Sequence, residues 1–114
     1  MNNTIETKSF YFAARIVNLC KYLQTEQKEF VLAKQLLRSG TSIGANVAES
    51  QQAQSRADFI NKLNISLKEA YETNYWLRLL RETNYLTDEE FQSIIADCRE
   101  LERLLISIVK TSKE

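Results

Sequence analysis

Apolar residues recur every three or four positions along almost the whole chain, which is the spacing of one face of an amphipathic α-helix. Four such segments, at about residues 5–23, 28–50, 56–84 and 88–111, are separated by short polar links. Short links return consecutive helices antiparallel against each other. The pattern therefore predicts an all-α protein, an antiparallel up-down-up-down four-helix bundle in which residues 1–114 form a single domain.

Residue pairs typical of helix N-termini stand before three of the four segments. The pairs are Asn3 with Glu6, Ser55 with Asp58, and Thr87 with Glu90. Leu86 and Phe91 flank the last pair as a hydrophobic staple, so the fourth helix has the clearest start in the sequence.

Each segment has one apolar line that is predicted to face the core. In the third segment the line consists of Phe59, Leu63, Leu67, Ala70, Asn74 and Leu77. In the fourth segment it consists of Phe91, Ile94, Ile95, Cys98, Leu101, Leu105 and Ile108.

The second segment contains an unusual stretch, QLLRSGTSIGANVAE, at residues 35–49. Under one interpretation Gly40 and Gly44 break the helix into a loop, because each glycine costs about 1 kcal/mol relative to alanine inside a helix. The apolar stripe nevertheless keeps its helical spacing through both glycines. Small residues four apart also allow another helix to approach closely, so we predict a continuous helix.

The outward sides of the second and third segments carry little charge and several apolar or small residues. Tryptophan is enriched at protein interfaces, which favours a contact surface around Trp76 over the alternative of a ring that is merely half exposed at the helix edge. The predicted oligomer interface consists of Arg38, Ser42, Ala45, Asn46, Glu49, Ile65, Glu69, Trp76 and Leu79.

Several polar residues stand where packing would favour apolar ones. Such residues need hydrogen-bond partners, and in bundles they often determine register or association state. Glu49 and Glu69 are expected either to pair with Arg38 or an arginine of a neighbouring chain, or to remain solvated. The polar positions in question are Ser39, Asn46, Ser66 and Asn74.

The sequence offers little for catalysis or for metal and cofactor binding. It has no histidine, and Cys20 and Cys98 are far apart, so zinc, haem and thiol–imidazole chemistry lack their usual ligands or bases. Both cysteines are predicted to be small buried hydrophobes. We expect no catalytic, cofactor or metal residues, no enzyme activity and no small-molecule substrate, and a metal or cofactor bundle is testable by elemental analysis and an absorbance scan.

Fifteen basic residues balance fifteen acidic ones, so the total charge gives no electrostatic indication of a nucleic-acid partner. The acidic excess lies in residues 86–114. No membrane-spanning apolar run or signal-peptide pattern is present, which predicts a cytoplasmic protein of bacterial type with no membrane partner.

Two stretches, FVLAKQLLRSGTSIGANVAESQ and DFINKLNISLKEAYETNYWLRLL, resemble the four helix bundle family also called 23S rRNA intervening sequence proteins. The segment KSFYFAARIVNL extends the likeness over nearly the whole chain. The Ser-Ile-x-x-Asn-x-x-Glu pattern occurs here as Ser42, Ile43, Asn46 and Glu49, and the Ser-x-x-Glu pattern as Ser66 and Glu69.

This resemblance implies a bundle that assembles into a pentameric ring and is often encoded within an insertion in a ribosomal RNA gene. A related branch, the accessory proteins of diversity-generating retroelements, is pentameric and basic, binds nucleic acid and docks a reverse transcriptase. The preferred hypothesis is therefore a non-enzymatic homo-oligomer, a ring of five copies. The alternative is an RNA- or DNA-binding accessory protein whose assembly gathers phosphate contacts at Arg15, Lys21, Lys34, Arg38, Arg78 and Arg81.

Overall fold

The computed structural model describes residues 4–114, most of which belong to four helices. Helix α1 spans Thr4–Thr25, α2 spans Val31–Ser50, α3 spans Arg56–Glu82 and α4 spans Asp88–Lys113. Consecutive helices pack against each other, and α4 returns to pack, more loosely, against α1. The predicted antiparallel four-helix bundle is confirmed.

The order of contacts gives the bundle four sides. Its seams are α1–α2, α2–α3, α3–α4 and α1–α4, so the α2–α3 seam and the α1–α4 seam lie on opposite sides. The three seams between consecutive helices are closely packed, whereas the α1–α4 seam is the most open.

Helix α2 runs without interruption through both glycines, as predicted. A Cβ atom at Gly40 would lie 2.8 Å from both Cγ atoms of Ile16 on α1, and one at Gly44 would lie 3.1 Å from the carbonyl oxygen of Ser9. Both distances are shorter than side chains normally tolerate. The glycines therefore allow α1 to approach α2, and this close contact offsets their low helix propensity.

The core differs from the predicted line in α3. Phe59, Leu67 and Asn74 are only half-buried, whereas Thr73 and Leu80 are fully buried. Because α3 is flanked by both α2 and α4, its buried sector is wide and includes positions that lean towards α2. The buried residues of α3 are Leu63, Ser66, Ala70, Thr73, Leu77 and Leu80. In α4, Val109 is buried where Ile108 was predicted, and Ile108 packs partly against the core.

Two of the predicted helix starts are confirmed by their hydrogen bonds. The Ser55 side chain accepts from the backbone N–H of Asp58, and Thr87 and Glu90 form a reciprocal capping box. The proposed cap at Asn3 lies outside the described residues.

The other helix ends differ from the prediction by a few residues. Helix α2 begins at Val31 because Lys28 has a left-handed backbone with φ of 55°, and the Glu29 carboxylate accepts from the N–H of Leu32 at 2.7 Å. Helix α3 ends at Glu82 because Asn84 is left-handed, with φ of 70°. Asparagine tolerates this conformation and is found at such C-terminal caps.

Replacing Gly40 by alanine tests the close contact between α1 and α2. Alanine favours a helix by about 1 kcal/mol, but its methyl group meets Ile16, and overpacking typically costs about 1–3 kcal/mol. We expect Gly40→Ala to lower the free energy of unfolding measured in urea. In the Ile16→Ala background the same substitution is expected to cost less or to stabilise, since the obstructing Cγ atoms are gone. A Gly40→Ala variant that is more stable than the wild type in the wild-type background would contradict this account.

The capping box at the start of α4 gives a second prediction. Thr87→Ala removes the acceptor for the Glu90 N–H and is expected to lower the free energy of unfolding by about 1 kcal/mol. Thr111→Ala, at an exposed position near the end of the same helix, is the matched control and is expected to be neutral. Equal losses in the two variants would show that the cap has no special role.

Candidate functional site

The predicted interface residues lie on the outer side of α2 and α3, and we call this surface the α2–α3 face. Arg38, Ala45 and Glu49 are exposed, and the remaining members are half-buried. Among these residues Ala45 lies closest to α1, and it lines a groove of about 390 Å³ between α1 and α2. The α2–α3 face consists of Arg38, Ser42, Ala45, Asn46, Glu49, Ile65, Glu69, Trp76 and Leu79, together with the two charged neighbours Lys62 and Glu72.

Ion pairs across the seam neutralise most of the charge on this face. Arg38 pairs with Glu69, at 3.2 Å, and also with Glu72, while Lys62 donates to Glu49 at 2.9 Å. The hydrogen bond with Glu49 raises the pKa of the Lys62 ammonium group. The pairing of Glu69 with Arg38 agrees with one of the sequence alternatives, and here both residues belong to the same chain. Glu49 instead pairs with Lys62, a partner that the sequence did not indicate. Exposed pairs of this kind add at most about 1 kcal/mol to stability.

Trp76 is half-buried on the α2–α3 face, and its indole N–H is already bonded. The Nε1 atom donates to the Glu72 carboxylate at 2.9 Å, and the ring packs edge-to-face against Tyr75 with centroids 5.1 Å apart. Glu72 was not among the predicted interface residues, although its spacing of four residues before Trp76 on one helix was a usable signal. Lys62 was not among them either, because its pair with Glu49 depends on the register of two helices.

The polar residues within the bundle all have partners in the chain. The Ser66 hydroxyl donates to the Ile43 carbonyl oxygen at 2.8 Å, and the Ser39 and Thr73 hydroxyl oxygens are 2.9 Å apart. Within residues 4–114, every buried side-chain nitrogen or oxygen has a hydrogen-bond partner. Ser39 and Ser66 therefore set the register of α2 against α3, and they are not available to a ligand.

Asn46 and Asn74, the two amides among these polar positions, are half-buried and also have partners. Asn46 donates to the Ser42 carbonyl oxygen within α2 at 2.9 Å. Asn74 donates to the Glu102 carboxylate of α4 at 3.0 Å and accepts from Arg78 at 2.9 Å. Asn74 thus links α3 to α4, a contact that periodicity did not indicate.

The residues proposed for nucleic-acid contact do not converge on one surface. Arg15 donates to Asp97 in the α1–α4 seam, Arg38 is paired in the α2–α3 seam, and Arg81 stacks 4.0 Å from the Phe91 ring in the α3–α4 seam. Lys21 and Lys34 are exposed on α1 and α2, and Arg78 is exposed on α3. In a single chain these six cations are scattered over several sides of the bundle.

The α1–α4 seam contains open grooves that the sequence did not predict. One, of about 480 Å³, is lined by Leu19, Tyr22, Leu86 and Ile94, and a second, of about 390 Å³, includes Tyr11. Ion pairs from α1 to Asp97 and Glu100 cross this seam. This side therefore combines partly apolar grooves with exposed aromatic rings and charged side chains, which is a composition found at contact surfaces.

Other large apolar side chains are exposed in places that the sequence analysis did not select. Their exposed fractions are highest at Val31, with 73%, and at Phe10, with 67%. By helical spacing Val31 shares the outward side of α2 with Arg38, Ala45 and Glu49, although it was not among the predicted interface residues. The full set is Phe10, Tyr11, Tyr22, Phe30, Val31, Tyr71, Tyr75 and Ile106.

The two cysteines are free and buried, as predicted. Burial raises the pKa of the Cys20 thiol to about 11 and, together with the nearby Glu102 carboxylate, raises that of Cys98 further. Both therefore remain protonated thiols at neutral pH. Within residues 4–114 no group of three or more potential metal ligands is found, and no helix has the length and apolar character required to cross a bilayer.

Comparison with known proteins identifies the family. The family profile described as 23S rRNA-intervening sequence protein matches residues 1–107. The crystal structure of a protein of unknown function from the S23 ribosomal protein family of Bacteroides thetaiotaomicron superposes with a TM-score of 0.93 and 64% sequence identity. That match covers 94% of this chain and 99% of the other. A search of curated proteins finds no match. The chain belongs to the 23S rRNA-intervening sequence protein family.

Proposed function

We propose that the protein is a non-enzymatic, self-assembling bundle of the bacterial cytoplasm, and that its α2–α3 face packs against neighbouring copies. The observation that carries the proposal is Trp76, which lies half-buried on this face with its only polar atom already bonded within the chain. A ring of five copies is the number implied by the family resemblance.

The state of Trp76 suits it to an interface. Burying a tryptophan ring removes a large apolar area from water, but an unpaired indole N–H would oppose that burial. Since Glu72 already accepts this hydrogen bond, the exposed part of the ring can be covered without the loss of a bond to water. Tryptophan is also among the residues that contribute most to association.

The charges around Trp76 also favour coverage by another chain. Charged side chains that are unpaired make an interface costly, because they lose their hydration. Here Arg38 and Lys62 already pair with carboxylates of the same chain. A neighbouring copy would therefore cover mainly apolar groups and charged groups that are already paired within the chain.

A closed ring requires a second, different surface on each copy, because contacts in a ring of five are head-to-tail. The best partner surface is the α1–α4 seam. It does not overlap the α2–α3 face, and it contains open grooves lined by both apolar and charged residues. Tyr11, which is 64% exposed, lines one of these grooves. We infer that the α2–α3 face of one copy packs against the α1–α4 seam of the next.

Light scattering coupled to size-exclusion chromatography tests this assembly directly. At micromolar concentration the wild-type protein is expected to show five times the 13.3 kDa mass of one chain. Trp76→Ala is expected to weaken association by about 30-fold or more, since interface tryptophans commonly contribute about 2 kcal/mol or more.

Two further variants make the mass measurement specific. Ala45→Arg places a charge at an exposed position of α2, so the fold should persist while association is lost. Tyr71→Ala, at an exposed tyrosine on the side of α3 away from α2, is the matched control and should retain the wild-type mass. Circular dichroism confirms that each variant is folded. A wild-type monomer, or an unchanged mass in both Trp76→Ala and Ala45→Arg, would refute the proposed assembly.

A further inference from the structure

Helix α4 divides its charges between two sides. Towards α1, Asp97 pairs with Arg15 at 2.7 Å and Glu100 pairs with Lys8 at 3.1 Å. The hydrogen bond from Asn74 to Glu102 identifies the side of α4 that faces α3. On this side the helical spacing places Arg99, Arg103 and Lys110 in one row. The neutral total charge of the chain therefore conceals a basic edge on the helix that holds the acidic excess.

The cations on this edge are exposed and uncompensated. None of Arg99, Arg103 and Lys110 forms an ion pair with another residue in the part of the chain that the structure describes. The two carboxylates next to the row in sequence are already engaged: Glu100 pairs with Lys8, and the half-buried Glu102 accepts a hydrogen bond from Asn74. The row is thus free to meet negative charge on another molecule.

Aromatic residues line the adjacent edge of α3. Tyr71 and Tyr75 are each 50% exposed, and with Arg78 they follow the spacing of one helix face. The Arg78 guanidinium lies 5.8 Å from the centre of the Tyr75 ring, and Trp76 supports the same ring edge-to-face. The rings are therefore held in place while much of their surface remains open.

A chain of hydrogen bonds links the two edges across the seam. Arg78 donates to Asn74 at 2.9 Å, and Asn74 donates to Glu102 on α4 at 3.0 Å. Arg99 and Arg103 flank Glu102 within one helical turn on either side. Cations and tyrosines consequently share one surface, the basic-aromatic face, which consists of Tyr71, Tyr75, Arg78, Arg99, Arg103 and Lys110.

We propose that the basic-aromatic face binds single-stranded nucleic acid. The arginines and Lys110 would contact phosphates, and bases would stack on Tyr71 and Tyr75. Aromatic platforms beside cations are the common means of binding single strands, because unpaired bases present a free ring surface. A duplex keeps its bases stacked internally and would leave both tyrosines without a partner. Glu82, exposed one turn beyond Arg78, limits the face at that end.

This binding site is separate from the surfaces proposed for assembly. The basic-aromatic face lies on the α3–α4 side, between the α2–α3 face and the α1–α4 seam. It would therefore stay exposed in a ring, and it is complete in a single chain. Failure of the assembly and failure of nucleic-acid binding are distinguishable, because mass and binding are measured independently.

Fluorescence anisotropy with labelled oligouridine and oligodeoxythymidine of about 16 nucleotides tests the proposal at about 50 mM salt. Arg99→Gln with Arg103→Gln is expected to weaken binding about tenfold or more and to reduce the salt dependence, because two phosphate contacts are lost. Lys21→Gln with Lys34→Gln makes the same change of charge on α1 and α2, and it should leave the affinity unchanged within about twofold. Comparable affinity for the two probes would show that the protein does not recognise the 2′-hydroxyl group. The proposal is supported if at least one of the two probes binds and loses affinity in the arginine variant but not in the lysine variant.

The tyrosines are tested separately from the charges. Tyr71→Ala with Tyr75→Ala should weaken binding about tenfold or more, whereas the corresponding phenylalanine variants should bind as the wild type does, since stacking needs the ring and not the hydroxyl. Circular dichroism verifies that the variants are folded.

Five outcomes would overturn the proposal. Four of them are no detectable binding of either single strand, tighter binding of a duplex of the same length, an equal loss of affinity in the double variant of Lys21 and Lys34, and unchanged binding in the double alanine variant. The fifth is competition by polyglutamate as effective as that by unlabelled oligouridine, which would show a general polyanion site, as for an acidic protein partner.

Discussion

The close approach of α1 to α2 is the constraint on which the rest of the structure depends. A Cβ atom at Gly40 would lie 2.8 Å from Ile16, and one at Gly44 would crowd the Ser9 carbonyl oxygen at 3.1 Å. This contact fixes the rotation of α2 about its axis. Because that rotation is fixed, Ser39 meets Thr73 inside the bundle, while Arg38 points outward to the carboxylates of α3. The composition of the α2–α3 face follows from where the glycines lie.

Features that depend on neighbouring residues in one helix could be predicted from the sequence. The capping box at Thr87 and Glu90 is local, and so is the continuity of the apolar stripe through Gly40 and Gly44. The four helices and their order followed from this periodicity. Their ends were less accurate where a left-handed residue such as Asn84 determined the last turn.

Features that depend on the register between helices could not be predicted. The burial of Thr73 depends on Ser39 of another helix, and the pair of Lys62 with Glu49 depends on how far α3 is shifted along α2. The row of Arg99, Arg103 and Lys110 is visible in the sequence as a spacing. Its significance appears only when the fold places it beside Tyr71 and Tyr75 rather than beside the acids that face α1.

The bundle thus has a different character on each of three sides. The α2–α3 side is neutralised by its own ion pairs, the α1–α4 side is grooved, and the α3–α4 side is basic and aromatic. If the first two sides join copies to one another, the third remains free around the assembly. A ring would then repeat the basic-aromatic face, and repeated weak sites on one particle can bind a long strand far more tightly than one site alone.

The central claim is that another copy covers the α2–α3 face. Because Trp76 is the only tryptophan in the chain, tryptophan fluorescence reports on this face alone. The most direct test is acrylamide quenching of that fluorescence at micromolar protein concentration. The account predicts a blue-shifted emission that is strongly protected from the quencher. Emission that is quenched as readily as expected for the half-exposed ring of a single chain would contradict it.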